Sequence, residues 1–372
     1  MTELQGEGAA FLAGSCPSWA RPDWRKRVTE AFPSHEWSVS GRSAFMARAC
    51  RARHRLRDGA ATATTQQARK AAFSTTLPLP YPSKTSPSHA AAVPQSSPQE
   101  RRTMPFDLSL SYPQWQGSGR HVNLPRGAEA VAEVCGRFAP LVRVPLGDGD
   151  VDGETRHGVH RWEAIFTQFR SAQDILANSG ARRVLTAGGD CAVDVAVIDY
   201  LKGVHPDLQV IWIDAHLDAN TPATSPSGNF HGMPVSAILG RAPGPMRTLL
   251  GKPIDPARFH YVGIQVGDDG DWELQRELDL QRLDPNARID GPAHIHFDLD
   301  ALDPSEFPYV AYPDGKLRID DAIALVSRIA READLVGFTV TEFAPANDDE
   351  ARAGSRVIER LCEAAVAPPP VI

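Results

Sequence analysis

The chain has 372 residues, of which 42% are hydrophobic, so it is long enough for one large domain or two small ones. No apolar run approaches the roughly 18 residues needed to span a bilayer, so the sequence gives no indication of a membrane partner. The cysteines are scattered and odd in number, which is typical of a reducing compartment rather than a disulfide framework. They are Cys16, Cys50, Cys135, Cys191 and Cys362. We therefore expect a cytoplasmic protein.

The net charge of −7 is unevenly distributed along the chain. Residues 1–103 carry 15 Lys or Arg and 7 Asp or Glu, a net +8, against 24 and 39, a net −15, in the rest. The basic part is rich in Arg, Ala, Ser, Thr and Pro without helical or strand periodicity, which predicts disorder. It is a genuine tail, a transit peptide, or sequence upstream of a true start at Met104, and the residues leave this open. Residues 104–372 carry a net negative charge, which is unlike the basic surface of a nucleic-acid-binding protein.

From residue 104 onward, short runs rich in Val and Ile alternate with amphipathic stretches. The predicted strands cover residues 182–189, 209–216, 259–266, 293–300 and 335–343. The predicted helices cover residues 161–180, 192–203, 319–333 and 351–365. Strands that are apolar throughout and alternate with helices predict an α/β fold, with a mostly parallel sheet between two helical layers. We expect residues 104–372 to form one domain of this kind.

Charged side chains follow the predicted strands at the point where each strand ends. In open parallel sheets ligands bind beyond the carboxyl ends of the strands, so these side chains should meet on one rim. In chain order they are Asp190 and Cys191; Asp214, His216 and Asp218; Asp268; Asp298 and Asp300; and Glu342. The sequence therefore predicts a polar site at this rim.

The alternation of Asp214, His216 and Asp218 places them on one face if strand geometry continues past the apolar run. Asp298 and Asp300 repeat the spacing. Neighbouring carboxylates repel one another unless a cation compensates their charge. Carboxylates mixed with imidazole suit Mn, Zn, Fe or Ni, and a majority of oxygen donors favours Mn. Because four carboxylates exceed the needs of one divalent ion, the pattern predicts a dinuclear metal site.

Three nearby polar residues have simpler interpretations. Asp190 directly precedes a predicted helix, where an aspartate usually caps the first turn. His294 and His296 lie within a predicted strand, so we expect them to pack in the core or to support metal ligands rather than to bind metal themselves.

Several motifs resemble the arginase (ureohydrolase) family, whose members bind a dinuclear manganese cluster. The stretch IDAHLDANTPATSPSGNFHGMP resembles the family signature, and GGDC is similar to its Gly-Gly-Asp-His motif. FDLDALDP resembles its Asp-x-Asp-x-x-Asp-Pro motif, and TEFAP lies where the family has a substrate-binding glutamate. The resemblance covers residues 180–345 and implies an arginase-like fold. It also implies hydrolysis of a guanidinium C–N bond by a metal-activated hydroxide, with L-arginine, cleaved to ornithine and urea, as the best match.

The resemblance also implies roles for individual residues. The implied metal ligands are Cys191, Asp214, His216, Asp218, Asp298 and Asp300. The implied catalytic residues are Glu342, which would hold the guanidinium, and His231, which would shuttle protons. The implied substrate-binding residues are Asn220, Ser227 and Asn229 for an α-carboxylate and Asp268 for an α-amino group. The implied partner is a small guanidino compound, and the implied assembly is a homo-oligomer, a trimer or a hexamer.

Three features depart from the family pattern. Cys191 replaces a metal-binding histidine, which admits Zn, Ni, Co or Fe beside Mn and leaves open whether one or two ions bind. The loop EFPYVAYPDGKL brings Tyr309 and Tyr312 where the family has small residues, which should narrow the pocket. Gln265 and Val266 replace two polar partners beside Asp268. The alternatives are therefore a ureohydrolase for another guanidino or formimino substrate, or a catalytically inactive metal-binding homologue.

Overall fold

The structure, a computed structural model, describes residues 105–120, 122–146 and 153–366. The predicted disordered segment 1–103 and the alternative start at Met104 lie outside the described residues.

A parallel β-sheet of eight strands forms the centre of the described part. The strands are β1 (Leu108–Tyr112), β2 (Leu141–Arg143), β3 (Val184–Gly188), β4 (Gln209–Ile213), β5 (Phe259–Val262), β6 (Gln281–Arg282), β7 (Pro292–Asp298) and β8 (Asp334–Thr341). Their order across the sheet is β2-β1-β3-β8-β7-β4-β5-β6, and each neighbouring pair is parallel. This confirms the predicted α/β fold class.

In the described residues, six helices of two turns or more flank the sheet. They are α1 (Leu124–Cys135), α2 (Trp162–Ser179), α3 (Asp194–Val204), α4 (Asp269–Glu277), α5 (Ile319–Glu332) and α6 (Asp348–Ala365). Single helical turns cover Pro234–Ser236 and Met246–Leu249. All four predicted helices are present, whereas α1, α4 and the strands β1, β2 and β6 were not predicted. Within the described residues, no helix is both long and apolar enough to cross a membrane.

Two hydrophobic cores, one on each face of the sheet, hold the three layers together. On one face Trp162 of α2 and Leu201 of α3 are buried against β-strand side chains. On the other face Val131 of α1, Val326 of α5 and Ile358 of α6 are buried. The central strands are buried on both faces, which explains why their sequences are apolar without alternation. Each fully buried side chain of this size contributes about 1.5–3 kcal/mol to folding.

Candidate active site

The predicted polar rim forms at the carboxyl ends of the four central strands, β3, β8, β7 and β4. These strands are neighbours in the sheet although they are far apart in the chain. Their ends bring together Cys191 after β3, Glu342 after β8, Asp298 at the end of β7 and Asp214 after β4. The sheet topology therefore places the predicted residues on one surface.

The alternation argument for the aspartates is wrong, because strand geometry does not continue through them. Strand β4 ends at Ile213, and Asp218 has a left-handed backbone with φ of +49°. The Asp214 carboxylate instead accepts a hydrogen bond from the backbone N–H of His216 at 2.7 Å. This side-chain turn ends the strand and holds the His216 imidazole beside the Asp214 carboxylate, although His216 still forms an isolated parallel bridge to Val266.

The second aspartate pair uses the same turn. Strand β7 ends at Asp298, whose Oδ1 accepts a hydrogen bond from the backbone N–H of Asp300 at 2.7 Å. The following residues, Leu299–Ala301, form a turn of 3₁₀ helix. Both Asp-x-His and Asp-x-Asp thus converge because the first aspartate caps a tight turn, and not because side chains alternate along a strand.

One group of candidate metal ligands consists of Asp214, His216 and Asp300. The Nδ1 atom of His216 lies 3.1 Å from Asp300 Oδ2 and 3.5 Å from Asp214 Oδ1. The other ring nitrogen, Nε2, lies 3.2 Å from a carboxylate oxygen of Asp314. A carboxylate on the far nitrogen is the usual arrangement for orienting a metal-binding histidine. The ligand atoms of the three residues all lie within 4.8 Å of one another.

A second group lies beside the first and contains Cys191, Asp214, His296 and Asp298, with ligand atoms also within 4.8 Å of one another. The buried thiol of Cys191 donates to Asp298 Oδ2 at 2.8 Å. The predicted ligand Asp218 is buried nearby and lines the same cavity, but it does not belong to either close group. The structure thus brings all six predicted metal ligands to one place and adds His296 to them.

The electrostatics of the cluster fit a divalent cation. Burial and the neighbouring carboxylates raise the pKa of Asp218 and Asp298 well above the usual range, and that of Asp300 to about 7. Burial opposes the charged imidazole of His216, but Asp214 and Asp300 raise its pKa strongly. Among the described residues, Asp218 Oδ2 is buried without a hydrogen-bond partner. Such a cluster takes up protons unless a cation neutralises it, so a metal ion matches the donor set.

Glu342 and His231 stand together beside the cluster. Glu342 follows β8 in a left-handed conformation, with φ of +60°, and both of its carboxylate oxygens are buried without a hydrogen-bond partner in the described residues. His231 Nδ1 lies 3.6 Å from Glu342 Oε1. Burial opposes the imidazolium form, but Glu342 raises the pKa of His231 overall. Left-handed backbone at a non-glycine residue costs of order 1–3 kcal/mol, and such strain clusters at functional sites.

A cavity of about 160 Å³ lies over the cluster, and three of the four predicted substrate residues line it: Asn220, Ser227 and Asp268. The Nδ2 group of Asn220 donates to Asp268 Oδ2 at 3.2 Å, so this pair forms one polar wall. The fourth, Asn229, lies on the same loop but is not among the lining residues. The small volume is consistent with a small molecule rather than a polymer as ligand.

The prediction for Asp190 is confirmed, and its role extends further. Its Oδ1 accepts from the backbone N–H of Ala192 at 3.0 Å, which caps the turn after β3. The buried carboxylate also accepts from Gln114 Nε2 at 3.0 Å and from the backbone N–H of Gly117 at 2.8 Å. A Cβ at Gly189 would lie 1.8 Å from the backbone oxygen of Gln114, so only glycine admits this contact. Asp190 therefore anchors residues 114–117 beside the site.

The sequence analysis missed four residues that position the site. Asp314 contacts His216, the indole of Trp212 donates to Asp214 Oδ2 at 2.9 Å, and Asp271 accepts from the backbone N–H groups of Ala219 and Asp268 at 2.9 and 2.8 Å. The fourth, Asp194, is buried below the cluster. The available signal for it was an aspartate at the start of the largely apolar run AVDVAVIDYL.

The loop that departs from the family pattern forms part of the cavity wall. The Tyr312 ring lines the cavity, with its centroid 5.3 Å from the ring centroid of His231. The Arg120 guanidinium lies over the Tyr312 ring, 4.7 Å from its centroid. The tyrosine is therefore in contact with both groups, whereas Tyr309 packs against Phe307 and Phe343 and is not among the lining residues. Of the two tyrosines, Tyr312 is the one that narrows the cavity.

Comparison with known proteins agrees with this geometry. Residues 136–367 match the family described as "Arginase family". The chain is 28% identical over 189 residues to the arginase of Saccharomyces cerevisiae, covering 43% of this chain and 56% of that protein. It is 36% identical over 156 residues to the hepatic arginase of Aquarana catesbeiana, covering 36% and 48% respectively. The chain thus spans about half the length of these relatives.

The crystal structure of the Bacillus caldovelox arginase superposes with a TM-score of 0.61 at 25% identity. The superposition covers 72% of this chain and 100% of that one, so the fold extends over most of the described residues. The family match includes β3, β4, β7 and β8, whose ends carry the cluster. This chain belongs to the arginase family.

Proposed function

We propose that this chain hydrolyses the C–N bond of a guanidinium group, with L-arginine, cleaved to ornithine and urea, as the leading substrate. The main observation is the buried carboxylate of Glu342, which has no hydrogen-bond partner in the described residues and has only the His231 imidazole beside it at 3.6 Å. It lies next to a cluster of possible metal ligands under a small cavity. The relatives named arginase support the same chemistry. We further propose that residues 104–372 form a single metallohydrolase domain.

The metal-binding groups in this proposal are the two that share Asp214. His216 and Asp300 complete one, and Cys191 and Asp298 belong to the other, with Asp218 facing the same cavity. Mn²⁺ is the leading candidate because most donors are oxygens, while Zn²⁺, Ni²⁺, Co²⁺ or Fe²⁺ would suit the cysteine. When bound, divalent cations supply Lewis acidity, which makes water a nucleophile at neutral pH.

Glu342 is proposed to bind the guanidinium. The residue is 1% exposed, so water does not compete for its carboxylate, and a planar cation can donate two parallel hydrogen bonds to it. A hydrogen bond to a charged group contributes about 1.5–3 kcal/mol. Holding the cation here directs the guanidinium carbon toward the cluster on the adjacent strand ends.

His231 is proposed to deliver a proton to the leaving amine. Glu342 raises the pKa of His231 against the effect of burial, which favours the protonated form that a general acid requires. Its side chain is 19% exposed, so the proton can be replaced from solvent through the cavity. The tilted contact with Tyr312 limits the rotation of the ring.

The polar wall of the cavity is proposed to bind the amino-acid end of the substrate. Asp268 accepts from Asn220 through Oδ2, and its side chain also caps the first turn of α4, so these contacts hold the carboxylate in place to accept from an ammonium group. Ser227 and Asn229 belong to the same loop, and the backbone N–H of Asn229 already donates to the Ser227 hydroxyl at 3.2 Å. Because Ser227 and Asn229 would bind the α-carboxylate while Asp268 binds the α-amino group, this arrangement favours an amino acid over its decarboxylated amine, which lacks the carboxylate.

Urea release by the full-length protein tests the proposal. The protein is loaded with Mn²⁺, and separately with Ni²⁺, Co²⁺ or Zn²⁺, and is given arginine, agmatine, guanidinobutyrate or guanidine. Urea from arginine alone supports the full proposal, and urea from another compound keeps the reaction but changes the substrate. No urea from folded, metal-loaded protein would favour the inactive metal-binding homologue, for which the Cys191–Asp298 hydrogen bond is the motivating contact.

A further inference from the structure

We propose that Cys191 and His296 form, with Asp214 and Asp298, a metal subsite whose thiolate and imidazole select Zn²⁺ or Co²⁺ over Mn²⁺. The assignment rests on the proposed function for the location of the metal cluster and adds the identity of one ion. The ligand atoms of the four residues lie within 4.8 Å of one another, and all four side chains are buried. His296 is the ligand that was not expected.

The contacts of the His296 ring are those expected of a metal-binding histidine. Its Nδ1 lies 2.8 Å from Asp194 Oδ2, and the other carboxylate oxygen accepts from Thr339 Oγ1 at 2.7 Å. An ionised carboxylate only accepts, so Nδ1 carries the proton and Nε2 keeps its lone pair in the neutral ring. The ring also stacks on Trp212, with centroids 3.5 Å apart and planes 6° apart. Both contacts fix the ring before any metal arrives, as in other carboxylate–histidine–metal triads.

The free nitrogen of His296 points toward Cys191. Nε2 lies 3.4 Å from the hydroxyl oxygen of Thr341, and this oxygen lies 3.5 Å from Cys191 Sγ. The distance to nitrogen is long for a hydrogen bond, whereas the distance to sulfur is ordinary, so the hydroxyl lies between the two groups without binding Nε2 firmly. The lone pair of Nε2, on β7, and the sulfur, in the turn after β3, therefore face the same small space.

The thiol of Cys191 can become a ligand by losing one proton. In the structure this proton is donated to Asp298 Oδ2. A divalent cation forms a bond to sulfur, the S–H bond breaks, and the proton leaves to solvent, so that one proton is released for each ion bound. The same event frees the Asp298 oxygen to become a further ligand.

The two subsites then differ in the kind of ion that they prefer. The group of Asp214, His216 and Asp300 offers two carboxylates and one imidazole, which suits Mn²⁺. The group with Cys191 and His296 offers a thiolate and an imidazole beside its carboxylates. Thiolate and imidazole donors favour Zn²⁺ and Co²⁺ over Mn²⁺. We therefore infer a mixed pair of ions rather than two of the same kind.

His294 provides a matched control for His296. Its Nε2 lies 2.8 Å from the same Asp194 oxygen, and it is equally buried on the same strand. Its Nδ1, however, faces Gly337, where a Cβ would lie only 2.1 Å away. A change at His294 disturbs Asp194 and the core but removes no donor from the subsite.

Cobalt titration of the full-length protein tests the inference. Metal is removed with a chelator, Co²⁺ is added without oxygen, and the near-ultraviolet thiolate-to-cobalt charge-transfer band is followed. We expect the band in the wild type, its loss in Cys191→Ser, and a Co²⁺ affinity weakened by about 10–100-fold or more in His296→Asn. His294→Asn should keep the band with nearly wild-type affinity, and circular dichroism checks that each variant is folded.

Two results would overturn the inference: a folded wild type that binds Co²⁺ without the band, or equal effects of His296→Asn and His294→Asn. If His296→Asn does not fold, proton NMR of the Co²⁺-loaded wild type tests instead whether His296 binds the metal. Exchangeable hyperfine-shifted ring N–H signals from both His216 and His296 support the subsite, and a signal from His216 alone excludes it.

Urea release separates this inference from the proposed function. The charge-transfer band without urea release leaves the subsite in place and rejects the hydrolase. Urea release without the charge-transfer band supports the hydrolase and rejects the subsite. Mass spectrometry of protein loaded from an equimolar Mn²⁺ and Zn²⁺ solution should find both metals in the wild type and a loss of zinc in Cys191→Ser.

Discussion

The substitution Asp218→Asn should stabilise the metal-free protein and destabilise the metal-loaded one. Asp218 is 7% exposed, and its Oδ2 has no hydrogen-bond partner in the described residues. Its φ of +49° suits asparagine, which tolerates left-handed backbone better than most residues. The substitution therefore removes a buried charge without adding backbone strain.

The size of the effect follows from the cost of the buried charge. Asparagine does not ionise, so Asp218→Asn avoids the cost of charging a buried carboxylate, which is about 1.4 kcal/mol for each unit by which the pKa is raised. We expect it to stabilise the metal-free fold by about 1–3 kcal/mol at pH 8. In a protein of this size that raises Tm by roughly 2–4 °C per kcal/mol. With metal bound, the wild type should be the more stable of the two proteins. Each tenfold loss of metal affinity in Asp218→Asn removes about 1.4 kcal/mol of the stabilisation that the metal provides.

The same reasoning fixes the pH dependence. Burial, followed by the charge of Asp214, raises the pKa of Asp218 in the folded state. Below the unfolded pKa of about 3.9 the carboxyl group is protonated in both the folded and the unfolded state, so its ionisation does not affect stability. As the pH rises above that value the unfolded state ionises first, so wild-type stability falls until the folded pKa is passed. The advantage of Asp218→Asn should therefore be absent at pH 4 and grow toward pH 8.

Urea unfolding followed by tryptophan fluorescence measures both effects, at several pH values, with and without metal. Asp279→Asn is the matched control, because Asp279 is also left-handed, with φ of +52°, but is exposed. It should change stability by less than about 0.5 kcal/mol in either condition. A metal-free Asp218→Asn protein that is less stable than wild type at pH 8 would refute the reasoning, since the carboxylate would then have a stabilising partner.

Three further substitutions test other parts of the site. Asp314→Ala should weaken metal binding by about tenfold, because His216 loses the carboxylate that orients it; equal affinity in a metal titration would contradict this. Glu342→Gln should reduce kcat/KM by about 10²–10³ and lower the pKa of His231 in an NMR titration, whereas an unchanged titration would separate the two residues. Tyr312→Ala should raise turnover of bulkier guanidino compounds relative to arginine without changing metal content, and a loss of metal would instead indicate a structural role.

The sequence was sufficient to predict which strand ends carry the site, but not how the chain shapes it there. Apolar runs followed by charged residues located Asp214, Asp298 and Glu342 correctly, because buried parallel strands expose only their ends. The prediction of continued strand geometry was wrong because the aspartate side chains compete with the sheet for backbone N–H groups. The left-handed conformation of Asp218 had no local sequence signal, since no glycine marks the turn.

The supporting layer below the cluster could not be predicted because its contacts join residues that are distant in sequence. The hydrogen bond between Asp194 and His296 joins residues 102 positions apart in the sequence, and that between Cys191 and Asp298 joins residues 107 positions apart. Locally, Asp194 begins a largely apolar helix and His296 lies in a largely apolar strand. Either residue could therefore be buried in the core without any role at the site. Only the sheet order, with β3 beside β8 and β7 beside β4, brings the carboxylate under the imidazole and the imidazole beside the sulfur. The features that distinguish this chain from an all-oxygen manganese site thus arise from its tertiary structure, and that is why the metal preference is the property to measure.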